Sequence, residues 1–376
     1  MEESVKKRYS FPHRLVWILN LLFIAALSLS YLSCYVSPER IWWLAFFGLA
    51  YGSILVGNLV FIAVWIWRRS RKFLVSLSVC VLGTGHFLSI YEPGIFRALA
   101  PPADRYVPPL NVMTFNVRLF NLYQLQDKPV TSRDFYRFLR ESAPDVVCFQ
   151  EFFSGKNKIA DTLHKVLVTP YSHIRYSAHV KGLGDFGMAT YSKYPIVHQG
   201  YFKFRSRTGN IVQYTDLAVG DDTVRIFNTH LESIRFKKED YHFIENLGNE
   251  DVEQDEIAGS MNILRRLKRA FLKRSRQVEI LKAHIHSSPY RVILCGDFND
   301  TPVSYTHSVL TSELKDAFRI SGRGWGRTYS GSFPSFRIDY ILHDKSMKSF
   351  GYNTHKVELS DHYPVSCMVT WKKPGL

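Results

Sequence analysis

Six short segments of this 376-residue chain carry a cation-binding, water-aiming or proton-moving side chain where an apolar run gives way to polar residues. They are Asn116 in MTFNV, Glu151 in VCFQE, His230 in FNTHLES, Asp297 and Asn299 in LCGDFND, Asp339 in RIDYIL, and Asp361 with His362 in LSDHYPV. Such carboxylates, amides and imidazoles suit phosphate-ester hydrolysis, in which a cation neutralises charge and a water is aimed in line with the leaving group. Magnesium prefers hard oxygen ligands and takes only one or two protein carboxylates, which makes Glu151 the natural ligand. A carboxylate beside an imidazole raises its pKa and fixes its orientation, which suits a group that must be cationic near neutral pH. Each fragment alone is weak, since an Asp-His pair is more often a turn cap and Gly-Asp-x-Asn more often a tight turn after a buried strand. Their joint occurrence, in order, carries the weight.

These residues need a rigid frame, and the sequence beyond residue 110 supplies one. Short β-branched or aromatic runs between Gly, Pro, Asn and Asp predict strands over 112–117, 145–150, 187–192, 213–219, 224–229, 292–295, 338–342 and 364–371. Helices are predicted over 132–141 and 260–286. The pattern is α/β, two packed sheets flanked by helices, with a cleft where the strand ends gather at one edge. Cys148, Cys295 and Cys367 sit inside β-branched runs and read as buried strand thiols, and no cysteine spacing suggests zinc or a disulfide framework.

Taken together, the motifs over about residues 110–372 resemble the endonuclease/exonuclease/phosphatase superfamily, which includes deoxyribonuclease-I-like nucleases, neutral sphingomyelinases and inositol polyphosphate phosphatases. The resemblance implies a four-layer α/β/β/α sandwich, here preceded by an all-α transmembrane region, as in a membrane-anchored bacterial-type member. It makes Glu151 the principal magnesium ligand, with Asn116 helping to hold metal and phosphate and Asp361 in or near the metal shell; manganese is the alternative ion. Asp297 would orient and deprotonate the attacking water, with Asn299 contacting the scissile phosphate beside it. His362, paired with Asp339, would stabilise developing charge as an imidazolium, and His230 would donate to a phosphate oxygen or protonate the leaving group. One departure concerns His230, which some family members orient with a glutamate in the preceding strand. Here that region reads GDFGMATYSKYPI and offers only Asp185, outside the strand proper.

The first hundred residues belong to a different solvent. Uncharged apolar runs over 15–36, 41–67 and 73–90 read as two or three transmembrane helices, with Trp42, Trp43, Trp65 and Trp67 as interfacial anchors of the second. The basic N-terminus and the loop Arg68-Arg69-Ser70-Arg71-Lys72 should stay cytoplasmic, so three spans put the large domain outside, on an inner or plasma membrane. The expected organisation is a membrane region over 1–97, a proline-rich linker over 98–109 and a catalytic domain over 110–376.

Net charge of +15 favours phosphate-rich partners without choosing among lipid headgroups, nucleic acid and phosphorylated small molecules. The function expected is therefore a metal-dependent phosphodiesterase or phosphomonoesterase. A nuclease acting on DNA or RNA and a sphingomyelinase-like enzyme are alternatives, and a catalytically inactive binding module is the least favoured. The segment 261–276 places Ile263, Leu264, Leu267, Ala270 and Phe271 on one helical face with a basic surround, which reads as a flanking helix packed on a sheet, with docking on anionic headgroups as the less favoured alternative. The acidic stretch 245–256 reads as an exposed insertion.

Overall fold

The computed structural model describes residues 11–95, 98–101, 104–121, 132–154, 159–181, 184–204, 210–235, 253–331 and 336–373. Most of the acidic stretch 245–256 lies outside them. The chain divides into Met1–Phe87 with Val303–Tyr305, and Leu88–Pro302 with Thr306–Leu376.

The first unit is helical: α1 (Phe11–Leu32), α2 (Leu44–Leu49), α3 (Tyr51–Trp67), α4 (Phe73–Leu82) and α5 (Thr84–Ile90), the last running into the second unit. Within α1, 20 residues from His13 to Leu32 are long and apolar enough to cross a membrane. The run 41–67 is not one helix. It breaks at Ala50, which ends α2 and starts α3, and the 17 residues of α3 span only about 26 Å against a bilayer core of about 30 Å. The third run bends by 62° between α4 and α5. Buried polar groups link the helices: Trp65 Nε1 donates to Asn20 Oδ1 and Asn20 Nδ2 to Ser76 Oγ, both at 2.7 Å. Asn58 Nδ2 donates to Phe23 O at 3.0 Å. Where no water competes, such bonds pin helices that apolar surface alone would leave free to slide.

The second unit is the expected sandwich. A short ribbon pairs β1 (Tyr91–Glu92) with β11 (Gly324–Trp325). One six-stranded sheet contains, in spatial order, β13 (Lys348–Thr354), β14 (Val365–Thr370), β2 (Leu110–Asn116), β3 (Val146–Ser154), β5 (Gly184–Ser192) and β4 (Tyr171–Val180). The other has β10 (Leu314–Asp316), β12 (Asp339–Asp344), β9 (Arg291–Asp297), β8 (Asp222–His230), β7 (Ile211–Val219) and β6 (Ile196–Lys203). Val112, Val146, Cys148 and Cys367 of the first sheet meet Leu217, Ile226, Ile293, Cys295 and Ile341 of the second in the central core. The three cysteines here are buried thiols, as their β-branched neighbours imply.

Helices cover the outer faces. On the first sheet, Phe135 and Leu139 of α6 (Ser132–Ser142) and Leu163 and Val166 of α7 (Ile159–Leu167) pack on Phe115, Phe149 and Tyr191. The second layer contains α8 (Glu253–His286) and α9 (Tyr305–Glu313), followed by the one-turn α10 (Ala317–Ser321). Buried Leu267, Phe271, Val278, Leu281 and Ile285 recur along α8 at helical spacing, and His284 stacks on Phe202 of β6 with ring centroids 3.8 Å apart. The proline-rich segment 98–109 meets the domain at described points: Ala98 N donates to Ile320 O at 3.2 Å and Val107 N to Trp371 O at 3.0 Å.

Candidate active site

Strand register gathers the site. In the second sheet His230, the last residue of β8, stands opposite Asp297, the last of β9, which in turn faces Asp339, the first of β12. In the first sheet Asn116 ends β2 opposite Gln150, one residue before Glu151. Both parallel pairs, β2 with β3 and β8 with β9, end on this edge, so side chains that terminate four apolar runs converge. Gly296 is required here: at φ +149°, a Cβ would lie 1.9 Å from Thr229 O of the adjacent strand. Glu151 sits in a bulge of β3 with φ +50°, a left-handed conformation that costs a non-glycine residue on the order of 1–3 kcal/mol. Such strain persists where the surrounding structure fixes a side chain for use.

Asp297 is the hub. Its Oδ2 accepts from Asn116 Nδ2 at 3.0 Å and from Asn299 Nδ2 at 3.2 Å, and its Oδ1 from Asn299 N at 2.8 Å. Asn116 Nδ2 also reaches Glu151 Oε1 at 3.4 Å. His362 Nδ1 lies 2.9 Å from Asp339 Oδ2, and its Nε2 lies 3.9 Å from Asp297 Oδ2. His230 Nε2 is 3.6 Å from Asp297 Oδ2 and 3.8 Å from Glu151 Oε1, and this buried nitrogen has no hydrogen-bond partner among the described residues.

Burial pushes the Asp297 carboxyl up to about 6, with the Asp339 charge adding to the rise and His362, His230 and the Asn299 N–H opposing it. For His362 burial acts downward, but the carboxylates of Asp339 and Asp297 overcome it and raise the imidazole to about 10. The imidazole is thus cationic at neutral pH. The ligand atoms of Asp297, Asp339 and His362 lie within 4.8 Å of one another, a spacing a cation could bridge. A protonated imidazole, however, has no lone pair to offer a metal.

Glu151 is the better ligand position, with its side chain one-third exposed and its carboxylate facing a cleft of about 230 Å³. Leu119, Phe186, Met188 and Ile211 give that cleft an apolar wall, and Asn210, His230, Ser233 and Arg235 give it polar points. Oxygen donors fit a hard cation: Glu151 supplies a carboxylate, and the Asn116 amide lies beside it, its nitrogen on Glu151 and Asp297 and its oxygen accepting from Arg118 N at 3.1 Å.

The structure brings together Asn116, Glu151, His230, Asp297, Asn299, Asp339 and His362. Asp361 stands beside them with its Oδ2 3.2 Å from Arg118 Nε. Asp185 does not orient His230. It is the second residue of β5, not outside the strand, and its carboxylate lies 2.8 Å from His179 Nδ1 on β4. Sequence reasoning missed the groups that hold the site from behind. Thr328 Oγ1 accepts from Asp339 N at 3.0 Å, Ser360 Oγ donates to Asn116 O at 2.8 Å, and Gln150 Nε2 donates to Asn228 Oδ1 at 2.8 Å between the sheets. Only the polar residues inside the apolar runs CFQE and IFNT signalled the last pair.

Residues 113–362 match the model of the Endonuclease/Exonuclease/phosphatase family, and residues 13–90 match a domain of unknown function (DUF8431). No curated protein matches the chain in sequence. Among solved structures, the endonuclease/exonuclease/phosphatase from Bacteroides vulgatus is similar at 17% identity and TM-score 0.50, over 70% of this chain and 98% of that one. The human Nocturnin catalytic domain with bound sulfate is similar at 15% identity and TM-score 0.49, over 70% and 95%. Humanized D. rerio TDP2 is similar at 16% identity and TM-score 0.48, over 69% and 98%. With a family model matched over most of its length and the two-sheet fold in place, the chain belongs to the Endonuclease/Exonuclease/phosphatase family.

Proposed function

We propose that this chain is a membrane-anchored, divalent-metal-dependent phosphoesterase that hydrolyses a phosphodiester or phosphomonoester by in-line attack of water. The observation that carries the reading is the buried Asp297 carboxylate, held by Asn116 and Asn299 at one edge and flanked by a cationic His362 and an open His230. Asp297 orients the water and takes its proton. Asn299 contacts the scissile phosphate beside it. His362, fixed by Asp339, stabilises negative charge as it develops, and His230 donates to a phosphate oxygen or to the leaving group. Glu151 and Asn116 hold the cation, magnesium or manganese, with Asp361 near its shell; when bound, the ion neutralises phosphate charge. Members of this family typically hydrolyse phosphoester bonds, which supports the reaction class. The intact set of polar residues argues against an inactive binding module. The apolar N-terminal helix, read as an anchor, favours a lipid-headgroup phosphoester over a nucleic acid.

Glu151→Gln is expected to abolish hydrolysis of bis-p-nitrophenyl phosphate at any magnesium concentration without unfolding the domain, because the side chain is one-third exposed and the amide keeps its shape. Circular dichroism checks the fold. Wild-type activity that survives a chelator would overturn the metal requirement.

The anchor reading rests on α1, with α3 and the bent pair α4 and α5 joined to it by buried polar bonds. Three passes, with the cationic loop 68–72 in the cytoplasm, put the catalytic domain outside. An alkaline phosphatase fused after Asp104 is then expected to be active and a green fluorescent protein there dark. The reverse pattern would show that either α3 or the bent pair α4 and α5 does not cross.

A further inference from the structure

Helix α8 buries one face against the domain and turns a different chemistry outward. Residues at spacings of four, seven, eleven, fifteen and eighteen from Met261 share the outer face: Arg265, Lys268, Leu272, Arg276 and, near its far end, Glu279, with Leu264 and Arg269 at its borders. Met261 and Leu264 are 44% and 43% exposed, and Arg265 and Arg269 are exposed beside them. Methionine and leucine exposed among arginines complement an interface in which acyl chains lie beneath anionic headgroups.

The same helix holds the rim of the cleft. Arg266 Nη1 donates to Arg235 O at 3.1 Å, Arg274 Nη1 to Glu232 O at 3.0 Å, and Gln277 Oε1 accepts from Glu232 N at 2.8 Å. Arg235 and Ser233 of that loop line the cleft beside His230. A surface seated on the outer stripe therefore lies about one helix diameter, roughly 10 Å, from the cleft rim. Strand β1, which follows α5 directly, pairs with β11 inside the domain, so the domain is tied to within a few residues of the apolar helices.

We propose that the outer face of α8 around Met261, Leu264, Arg265 and Arg269 is a docking surface for an anionic phospholipid bilayer, which brings the cleft to the headgroup layer. The inference goes beyond the phosphoesterase reading and shares with it only the membrane anchor.

The test uses the full chain in nanodiscs of phosphatidylcholine alone or of phosphatidylcholine mixed with phosphatidylglycerol. A benzophenone amino acid replaces Leu264, and lipid adducts are counted by mass spectrometry after irradiation. Several-fold more adduct is expected in the anionic discs, falling to the neutral level in Arg265→Glu/Arg269→Glu. The same probe at Val168, exposed between α7 and β4 on the opposite layer, should give none in either disc. Equal adduct in both compositions, or adduct that survives the charge reversal, would overturn the proposal. So would a DNA duplex bound by the wild type and lost in the double variant without any lipid adduct. Incorporation into neutral discs reports on the anchor, and turnover of soluble bis-p-nitrophenyl phosphate, unchanged in the double variant, reports on the catalytic reading, so each can fail separately.

Discussion

Asp297→Asn is expected to lower turnover by roughly 10²- to 10⁴-fold, the contribution that general-base catalysis supplies, with little change in substrate affinity. The substitution keeps shape and removes basicity. Its amide oxygen can still accept from Asn299 N, now 2.8 Å from Asp297 Oδ1. What disappears is a carboxylate whose burial has moved it to about 6, close enough to neutrality to accept a proton from water and return it. Asp297 also helps to keep the His362 imidazole protonated, together with Asp339 and Asp361. Asp339 acts most strongly of the three and remains, so the imidazolium survives the substitution. Steady-state kinetics on bis-p-nitrophenyl phosphate at saturating magnesium checks this. A kcat within tenfold of wild type would remove Asp297 from the role of base.

The largest expected effect on stability lies away from the cleft, at Asp316→Ala. Asp316 ends β10 and caps α10, accepting from Phe318 N at 3.0 Å. Its two oxygens also accept from Arg337 Nη1 at 3.1 Å and Nη2 at 2.7 Å, and Oδ2 lies 3.1 Å from His307 Nε2. Arg337 is 3% exposed, lies over the rings of Phe318 and Tyr340, and donates to Ser89 O at 2.8 Å. Removing the carboxylate leaves a buried guanidinium without its counter-ion, which costs about 3–5 kcal/mol, in addition to the lost cap. Burial alone would raise the Asp316 carboxyl, but Arg337 and His307 hold it well below the usual carboxylate range. The depressed value sets the sign: this stabilisation is present above an unfolded pKa of about 3.9 and is lost as pH falls below it toward the folded value. Guanidinium unfolding of the full chain in micelles, followed by near-ultraviolet circular dichroism, is expected to show a much lower midpoint for Asp316→Ala at pH 7 and a smaller difference near pH 3. A midpoint shift equivalent to less than about 1 kcal/mol, the scale of an exposed ion pair, would mean that the pair is not buried in solution.

What was legible in the sequence follows the geometry of burial. The eight strands predicted from β-branched runs are the eight inner strands of the two six-stranded sheets, and the strands of those sheets that were missed are their edges, β4, β6, β10 and β13. An inner strand of a sandwich faces other residues on both sides and is buried along nearly its whole length, as β9 is, whereas β6 is exposed at five of its eight positions and carries no pattern to read. The site residues were legible for a related reason: a carboxylate, amide or imidazole that closes a buried run stands out against it.

Only the tertiary structure decided how those residues meet. His230, Asp297 and Asp339 share one row because β8, β9 and β12 pair in a single register, and a slip of one residue would turn a carboxylate to the opposite face. Arg118, Thr328 and Ser360 act on partners that no local spacing connects to them; Ser360 reaches Asn116 across 244 residues. In the first unit hydropathy marked three apolar runs, but composition does not encode backbone direction, so the break at Ala50 and the 62° bend before α5 were invisible to it. The sequence by itself determined which residues are apolar, which end buried strands and which chemistry they offer. Distances, strain at Glu151 and the protonation of His362 were decided by packing, because each depends on groups that folding alone brings within a few ångströms.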